Sequence, residues 1–234
     1  MAKKYSRRYE EQREKVDVRH YYTLDEALDL VLETATADFD ETVDCAIKLG
    51  VTPGKGDQNV RGTVILPHGT GKVPRVAVFA EGEAVREAEE AGADRVGGED
   101  LVEDISNGWD EFDVLVAQPQ MMRIVGPLGR QLGPRMPSKK AGNITEDVAA
   151  AVEALKAGKV EFKMDRGAVL HAPLGLVSFG KEKLRENFER LIEEVVAARP
   201  AAASGRFIRS ITLSPTMGPG IKVEVSDVVS RRAA

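Results

Sequence analysis

Four stretches of this chain hold residue types that could do chemistry. Gly69-Thr70-Gly71-Lys72 has the glycines and the lysine of a phosphate cradle. It lacks the first glycine that a P-loop requires, Val73 stands in the Ser/Thr place, and a strand pattern rather than a helix follows. A turn between domains is the simpler use of these glycines. His20, His68 and His171 are far apart in sequence and lack helical metal-ligand spacing. His68 and His171 fit a polar contact near an interdomain joint instead. There is no Gly-x-Ser-x-Gly, and Gly97-Gly98 does not extend into a dinucleotide fingerprint. The residues therefore predict no catalytic group, no metal and no cofactor.

The other two stretches suit nucleic acid better. Residues 126–142 are rich in glycine and proline and carry Arg130, Arg135, Lys139 and Lys140 with no acid among them. Such a loop can neutralise phosphates, or it can be a solvated loop. Thr216-Met217-Gly218-Pro219 offers a hydroxyl, a flexible apolar side chain and amides held between two prolines, Pro215 and Pro219. It reads either as a plain strand connection or as a contact for ribose 2′-OH and phosphate groups. Phe39, between a turn and a strand, either stacks on a base or closes a core.

The elements that must position these residues are legible from their periods. Thr23 and Glu26 form a capping box, followed by a stripe of Leu24, Ala27, Leu28, Val31 and Leu32. Val43, Cys45, Ile47 and Leu49 alternate with polar residues, a half-buried strand. Residues 51–56 read as a turn. A strand with Val60, Val64 and Leu66 on one face then breaks at Pro67, and His68, Gly69 and Gly71 form a hinge. Val76-Ala77-Val78-Phe79-Ala80 is a continuous apolar run and Phe112 to Ala117, apolar but for Asp113, is another buried strand, as in strands buried on both faces of a parallel sheet. Helical patterns at 83–91 and 99–106, and one marked by Val148, Val152 and Leu155, alternate with them. Past a second crossing at Gly158 the period of two returns: Val160, Phe162 and Met164, which residues 168–172 can pair with. A helix bearing Leu184, Phe188, Leu191, Ile192, Val195 and Val196 follows, then strands at 207–213 and 221–225. Residues 1–19 read as a charged, irregular arm. The fold class is α+β with two domains. Domain I (1–67 plus 160–234) is a split antiparallel-sheet domain, interrupted by domain II (68–159), a three-layer α/β, Rossmann-like insert.

Charge distribution says more than the net value of -5. Residues 81–113 hold thirteen acids and two bases, whereas 121–145 hold five bases and no acid. The termini are also basic, so basic surface is local. The acidic face is a solvating coat or, as a further option, a protein-docking surface. The lone Cys45 excludes an internal disulfide and suits a reducing cytoplasm. No apolar run has the length of a membrane span, and residues 1–5 have no signal-peptide core.

Taken together, Phe39-Asp40-Glu41-Thr42-Val43, Asn59-Val60-Arg61-Gly62-Thr63, Leu66-Pro67-His68-Gly69, Ala88-Glu89-Glu90-Ala91-Gly92-Ala93-Asp94, Leu132-Gly133-Pro134-Arg135, His171-Ala172-Pro173 and Thr216-Met217-Gly218-Pro219 resemble the ribosomal protein L1 family in its bacterial form. The resemblance spans nearly the whole chain. It implies that domain I binds 23S rRNA of the mobile stalk beside the tRNA exit site. It also implies help in releasing deacylated exit-site tRNA, repression of its own operon mRNA, and a cytoplasmic protein that is monomeric when free. The positions matching the family's RNA contacts are Phe39, Thr42, Ser210, Thr216, Met217 and Gly218, with Asp165, Arg166 and His171 beside them. Two departures stand out. Asp38 occupies a place where members usually have lysine, and the segment at 135–140 is shorter than usual. The alternative reading is a two-domain enzyme closing on a phosphorylated small molecule at the hinge.

Overall fold

The computed structural model describes residues 5–53, 58–203 and 205–230. Part of the turn read at 51–56 and the first four residues of the arm lie outside them. The chain divides into two compact units, Met1–Gly71 with Val160–Ala234, and Lys72–Lys159.

In the first unit, α1 (Arg7–Glu14) is followed by α2 (Leu24–Thr34), β1 (Thr42–Leu49) and β2 (Arg61–Ile65). The arm read as irregular is thus helical from Arg7. It has no apolar stripe to betray it. Its start is fixed by the Ser6 hydroxyl accepting from the Tyr9 amide, with Glu10 early and Arg13 late to suit the helix dipole. α2 carries the expected capping box, and Leu24, Ala27, Leu28 and Val31 are buried.

The second unit begins with β3 (Val76–Phe79), then α3 (Glu83–Glu90), β4 (Arg95–Gly97), α4 (Glu99–Ser106) and β5 (Val114–Ala117). The strands form a parallel sheet in the order β4-β3-β5. Every residue of β3 is buried, because each face of the sheet has its own core. One core gathers Ala77, Phe79 and Leu115 with α4 and the segment after β5. The other gathers Val76, Val78 and Val116 with α3 and α7 (Val148–Lys156). Between them the basic stretch is a chain of short turns, including α5 (Met122–Val125) and α6 (Gly129–Leu132), whose Val125, Leu128 and Leu132 are buried. It is therefore a packed layer with Arg123, Arg130, Arg135 and Lys139 exposed, not an extended loop.

The first unit resumes through β6 (Lys159–Lys163), β7 (Val169–Leu176), α8 (Gly180–Ala197), β8 (Ile208–Pro215), β9 (Ile221–Val223) and α9 (Val225–Ser230). A four-stranded antiparallel sheet has the order β7-β1-β8-β9, and β2 pairs with β6. β7 thus pairs with β1, and only the bridge Met164–Leu170 joins it to the strand expected as its partner. Residues 165–168 form a tight turn next to that bridge, with the Asp165 amide donating to the Val169 carbonyl at 2.9 Å. Here Ala168 takes φ 58, and the Asp165 carboxylate accepts from the Gly167 and Val169 amides, both at 2.8 Å. Gly62 lies against the Phe162 ring so closely that a Cβ would stand 2.7 Å from it. α2 and α8 cover one face of the four-stranded sheet, where Val43, Cys45, Ile47, Leu49, Ile211 and Leu213 are buried. Burial pushes the Cys45 thiol pKa far up, so it is an inert core group.

Candidate nucleic-acid interface

The other face of that sheet is polar, and its rows follow from the strand register. Ala46 stands opposite His171 on one side and Thr212 on the other, and Thr212 opposite Lys222. Lys48 stands opposite Ser210, and Asp44 opposite Ser214. With a side-chain period of two, Thr42, Asp44, Ala46, Lys48, His171, Ser210, Thr212, Ser214 and Lys222 all lie on this face, none of them buried. Small hydroxyl-bearing side chains leave it flat enough for a ribose-phosphate backbone to lie close.

At one end, the family-matched positions form a hydrogen-bonded lattice. The Thr216 hydroxyl accepts from the Thr42 amide at 3.0 Å and donates to the Thr42 carbonyl at 3.1 Å. Its proton is therefore committed, and outward it offers a lone pair: a partner must be a donor, such as a ribose 2′-OH. Glu41 is only 2% exposed, and its two carboxylate oxygens accept from the Ala37 amide and the Met217 amide, each at 2.8 Å. Asp40 holds Ser178 the same way, accepting from its amide at 3.1 Å and its hydroxyl at 2.5 Å. These anchors leave two apolar side chains outside: Phe39 is 54% exposed and Met217 50%. Phe39 thus does not close the core. Gly218 is needed for packing, since a Cβ there would collide with Pro215 and come 3.3 Å from the Thr34 carbonyl.

The remaining predicted positions are not in this lattice. Ser210 lies at the level of Lys48, six residues along β1 from Thr42, about 20 Å away. Near it, the Lys48 ammonium donates to the Gly167 carbonyl in the 165–168 turn. Arg166, on that turn, is exposed and makes no hydrogen bond or ion pair among the described residues. His171 sits between the two ends. The face therefore has a rigid hydroxyl-and-apolar end and a basic end.

Asp165 shapes the basic end by holding the 165–168 turn. The amides of Val169 and Gly167, with some charge attraction from His171 and Lys48, hold its carboxyl below the usual aspartate range. A depressed folded-state pKa adds stability above the ordinary aspartate pKa, and that contribution is lost as pH falls through the lowered value. Asp165→Asn should accordingly be less stable than wild type at neutral pH. The gap should close on acidification below about pH 4, the range in which an unfolded aspartate titrates. Denaturant unfolding of both proteins across pH 2–7 checks this; a gap that stays constant with pH would show that the carboxylate charge plays no part.

The predicted hinge residues have local explanations. The Gly69 amide donates to the Leu66 carbonyl at 3.0 Å, closing a turn over Pro67 and His68. Gly69 and Gly71 take φ 64 and 81, and a Cβ on Gly71 would stand 2.5 Å from Leu176 Cδ1. Gly158, with φ 93, is the left-handed stop after α7. A fastening that the sequence reading missed secures this turn. Asn187, fully buried on α8, accepts from the His68 amide at 3.0 Å and donates to the carbonyls of Gly69 (3.0 Å) and Leu174 (2.7 Å). Glu41 was missed as well. The available signal was parity: it continues the buried series Val43, Cys45, Ile47 and Leu49, where a carboxylate must find donors.

Among the described residues no group of three or more His, Cys, Asp or Glu is placed to hold a metal. No helix among them is long and apolar enough to cross a membrane. A sequence model of the Ribosomal protein L1p/L10e family matches residues 31–219, most of the chain and all of the lattice just described.

Proposed function

Because the chain belongs to the ribosomal protein L1 family, and so is a structural, RNA-binding constituent of the large ribosomal subunit, we propose that the uncovered sheet face holds 23S rRNA of the mobile stalk. The observation that carries this is the lattice at the end of β1 and β8. It spends polar groups of Thr42, Thr216 and Glu41 internally to keep Phe39 and Met217 exposed. An exposed phenylalanine and methionine held on a rigid frame cost little ordering entropy when a partner covers them. Contacts to sugar and phosphate fix position, and shape rather than base edges selects the RNA. Arg166, Lys48 and Lys222 supply local positive charge, which is how a chain of net charge -5 approaches a polyanion.

On this reading the two units act as separate domains, the second inserted in the first. Residues 67–71 and Gly158 mark the two crossings where a hinge works. The protein assists release of deacylated tRNA beside the exit site, and it represses its own operon mRNA, which mimics the rRNA site. It acts in the cytoplasm, as a monomer when free, without a cofactor. The enzyme alternative has no support: residues 69–72 lead into β3, not into a helix whose amides would cradle phosphate.

The test is binding of the purified protein to a stalk-region rRNA fragment, with Thr216→Ala and Met217→Ala beside it. Wild type should bind far more tightly than to unrelated RNA. Each substitution should weaken binding by about 1–3 kcal/mol, Thr216→Ala by losing a hydrogen-bond partner at a buried interface and Met217→Ala by losing apolar surface that the RNA would cover. Equal affinity for unrelated RNA at moderate salt would sink the stalk assignment.

A further inference from the structure

Trp109 is the only tryptophan of the chain, and it stands in the wall of two cavities of the second unit. The larger is about 410 Å³ and lies between Trp109 and the turn Gly133-Pro134-Arg135; the smaller, about 260 Å³, lies on the Arg75 and Arg95 side. The indole is held firmly. Its ring centroid is 5.3 Å from that of Phe112, and the Arg95 guanidinium lies 5.6 Å from it. Arg135 is oriented too: it stacks 5.4 Å over Phe112, and its Nη1 donates to the carbonyls of Asp110 and Phe112 at 3.2 and 3.3 Å. Two glycines with left-handed backbone, Gly108 (φ 102) and Gly133 (φ 53), line the larger cavity. A Cβ on either would meet nothing within 4 Å. Bare backbone therefore faces open space beside an aromatic wall.

We infer that the larger cavity is a nucleobase site, with guanine the base its polar groups fit. A planar ring is what the indole and a preset guanidinium stack. The Asp110 carboxylate is exposed and makes no hydrogen bond among the described residues. It can accept from the adjacent N1–H and N2–H donors that only guanine offers on one edge. The remaining Arg135 N–H groups face acceptor atoms of the ring. The surroundings do not favour phosphate. Arg95 is paired with Asp104 and Arg75 with Asp113, and Asp110 and Glu111 add negative charge. The site thus reads the base and leaves the phosphate in solvent, so its affinity depends little on salt, unlike that of the sheet face. The base could arrive on a free nucleotide or as an unstacked residue of single-stranded RNA.

Trp109 reports on its own cavity, so the experiment is a fluorescence titration of the full chain. GMP should quench the emission saturably, with half-saturation in the low-millimolar range, and AMP should bind several-fold more weakly. Asp110→Ala should weaken GMP several-fold and leave AMP unchanged. Linear, unsaturated quenching by both nucleotides, or GMP binding indifferent to Asp110→Ala, would overturn the assignment. A hexanucleotide with one guanosine among uridines identifies the source. Tighter binding than GMP, at unchanged affinity from low to moderate salt, assigns an RNA base, and binding no tighter assigns the free nucleotide. Because the sheet-face test follows affinity for stalk rRNA and this one follows Trp109 emission, either can fail without the other.

Discussion

Asn187→Ala should lower the unfolding free energy by about 3 kcal/mol, read as a fall in the urea midpoint at unchanged slope. The amide is fully buried and uses its oxygen and both N–H groups, tying the turn at His68 and Gly69 to β7 at Leu174. Each neutral hydrogen bond adds only about 1 kcal/mol net. The larger cost is that one amide and two carbonyls lose their partner, above all the buried Leu174 carbonyl, at about 1–3 kcal/mol for a buried group left unsatisfied. The neighbouring His68–Glu186 pair, at 2.5 Å, adds little to this, since Glu186 is 59% exposed and salt screens such pairs. Asn187→Asp separates geometry from hydrogen bonding. It keeps the shape and the acceptor for the His68 amide, but turns a carboxylate oxygen toward the carbonyls of Gly69 and Leu174. It should be at least as destabilising as alanine. If the aspartate variant unfolded like wild type, the donated bonds would contribute nothing.

Much of the fold was legible because it is written in short periods. The alternation from Val43 to Leu49 and the stripe from Leu184 to Val195 appear as buried sets facing one another. The apolar runs at 76–80 and 114–117 gave strands covered on both faces for the same reason. A period of two states which face a residue occupies, not which strand lies beside it. Hence β7 was read against residues 160–164, while its partner is β1, more than a hundred residues earlier. The arm at Arg7–Glu14 escaped because caps and charges, not an apolar stripe, define it.

The site was legible in a different way. Phe39 and Thr216-Met217-Gly218 stood out by their chemistry with two readings each, and the family resemblance chose between these and added Thr42, giving positions but no geometry. The structure adds the division of labour: Thr216 and Glu41 fasten, while Phe39 and Met217 project. Glu41 and its Met217 donor are 176 residues apart, and Asn187 lies 119 from His68. No local pattern joins such residues, so their roles are visible only once the strands are assembled. Glu41 was missed although parity could have found it, since the alternation places its carboxylate in the buried series that runs on through β1.

Glu41→Ala is the substitution that should touch both stability and RNA binding most strongly. A hydrogen bond to a charged acceptor is worth about 1.5–3 kcal/mol, and Glu41 accepts two, from the Ala37 and Met217 amides. Truncation should lower unfolding free energy by roughly 3–5 kcal/mol. Under conditions where the variant is still folded, its affinity for stalk rRNA should fall about tenfold or more, or roughly 1.4 kcal/mol upward. The reason is positional, because Met217 and Gly218 lose the anchor that orients their turn. Glu41→Gln tests that account. Its amide keeps the volume and one acceptor but presents an N–H₂ to one of the two backbone donors, so it should fall between wild type and alanine in both assays. The salt dependence of rRNA binding should stay as in wild type, since no cation that meets phosphate has been removed. A folded Glu41→Ala protein with wild-type affinity would show the opposite: the buried carboxylate would serve the fold alone, and the Met217 turn would not be where the RNA is held.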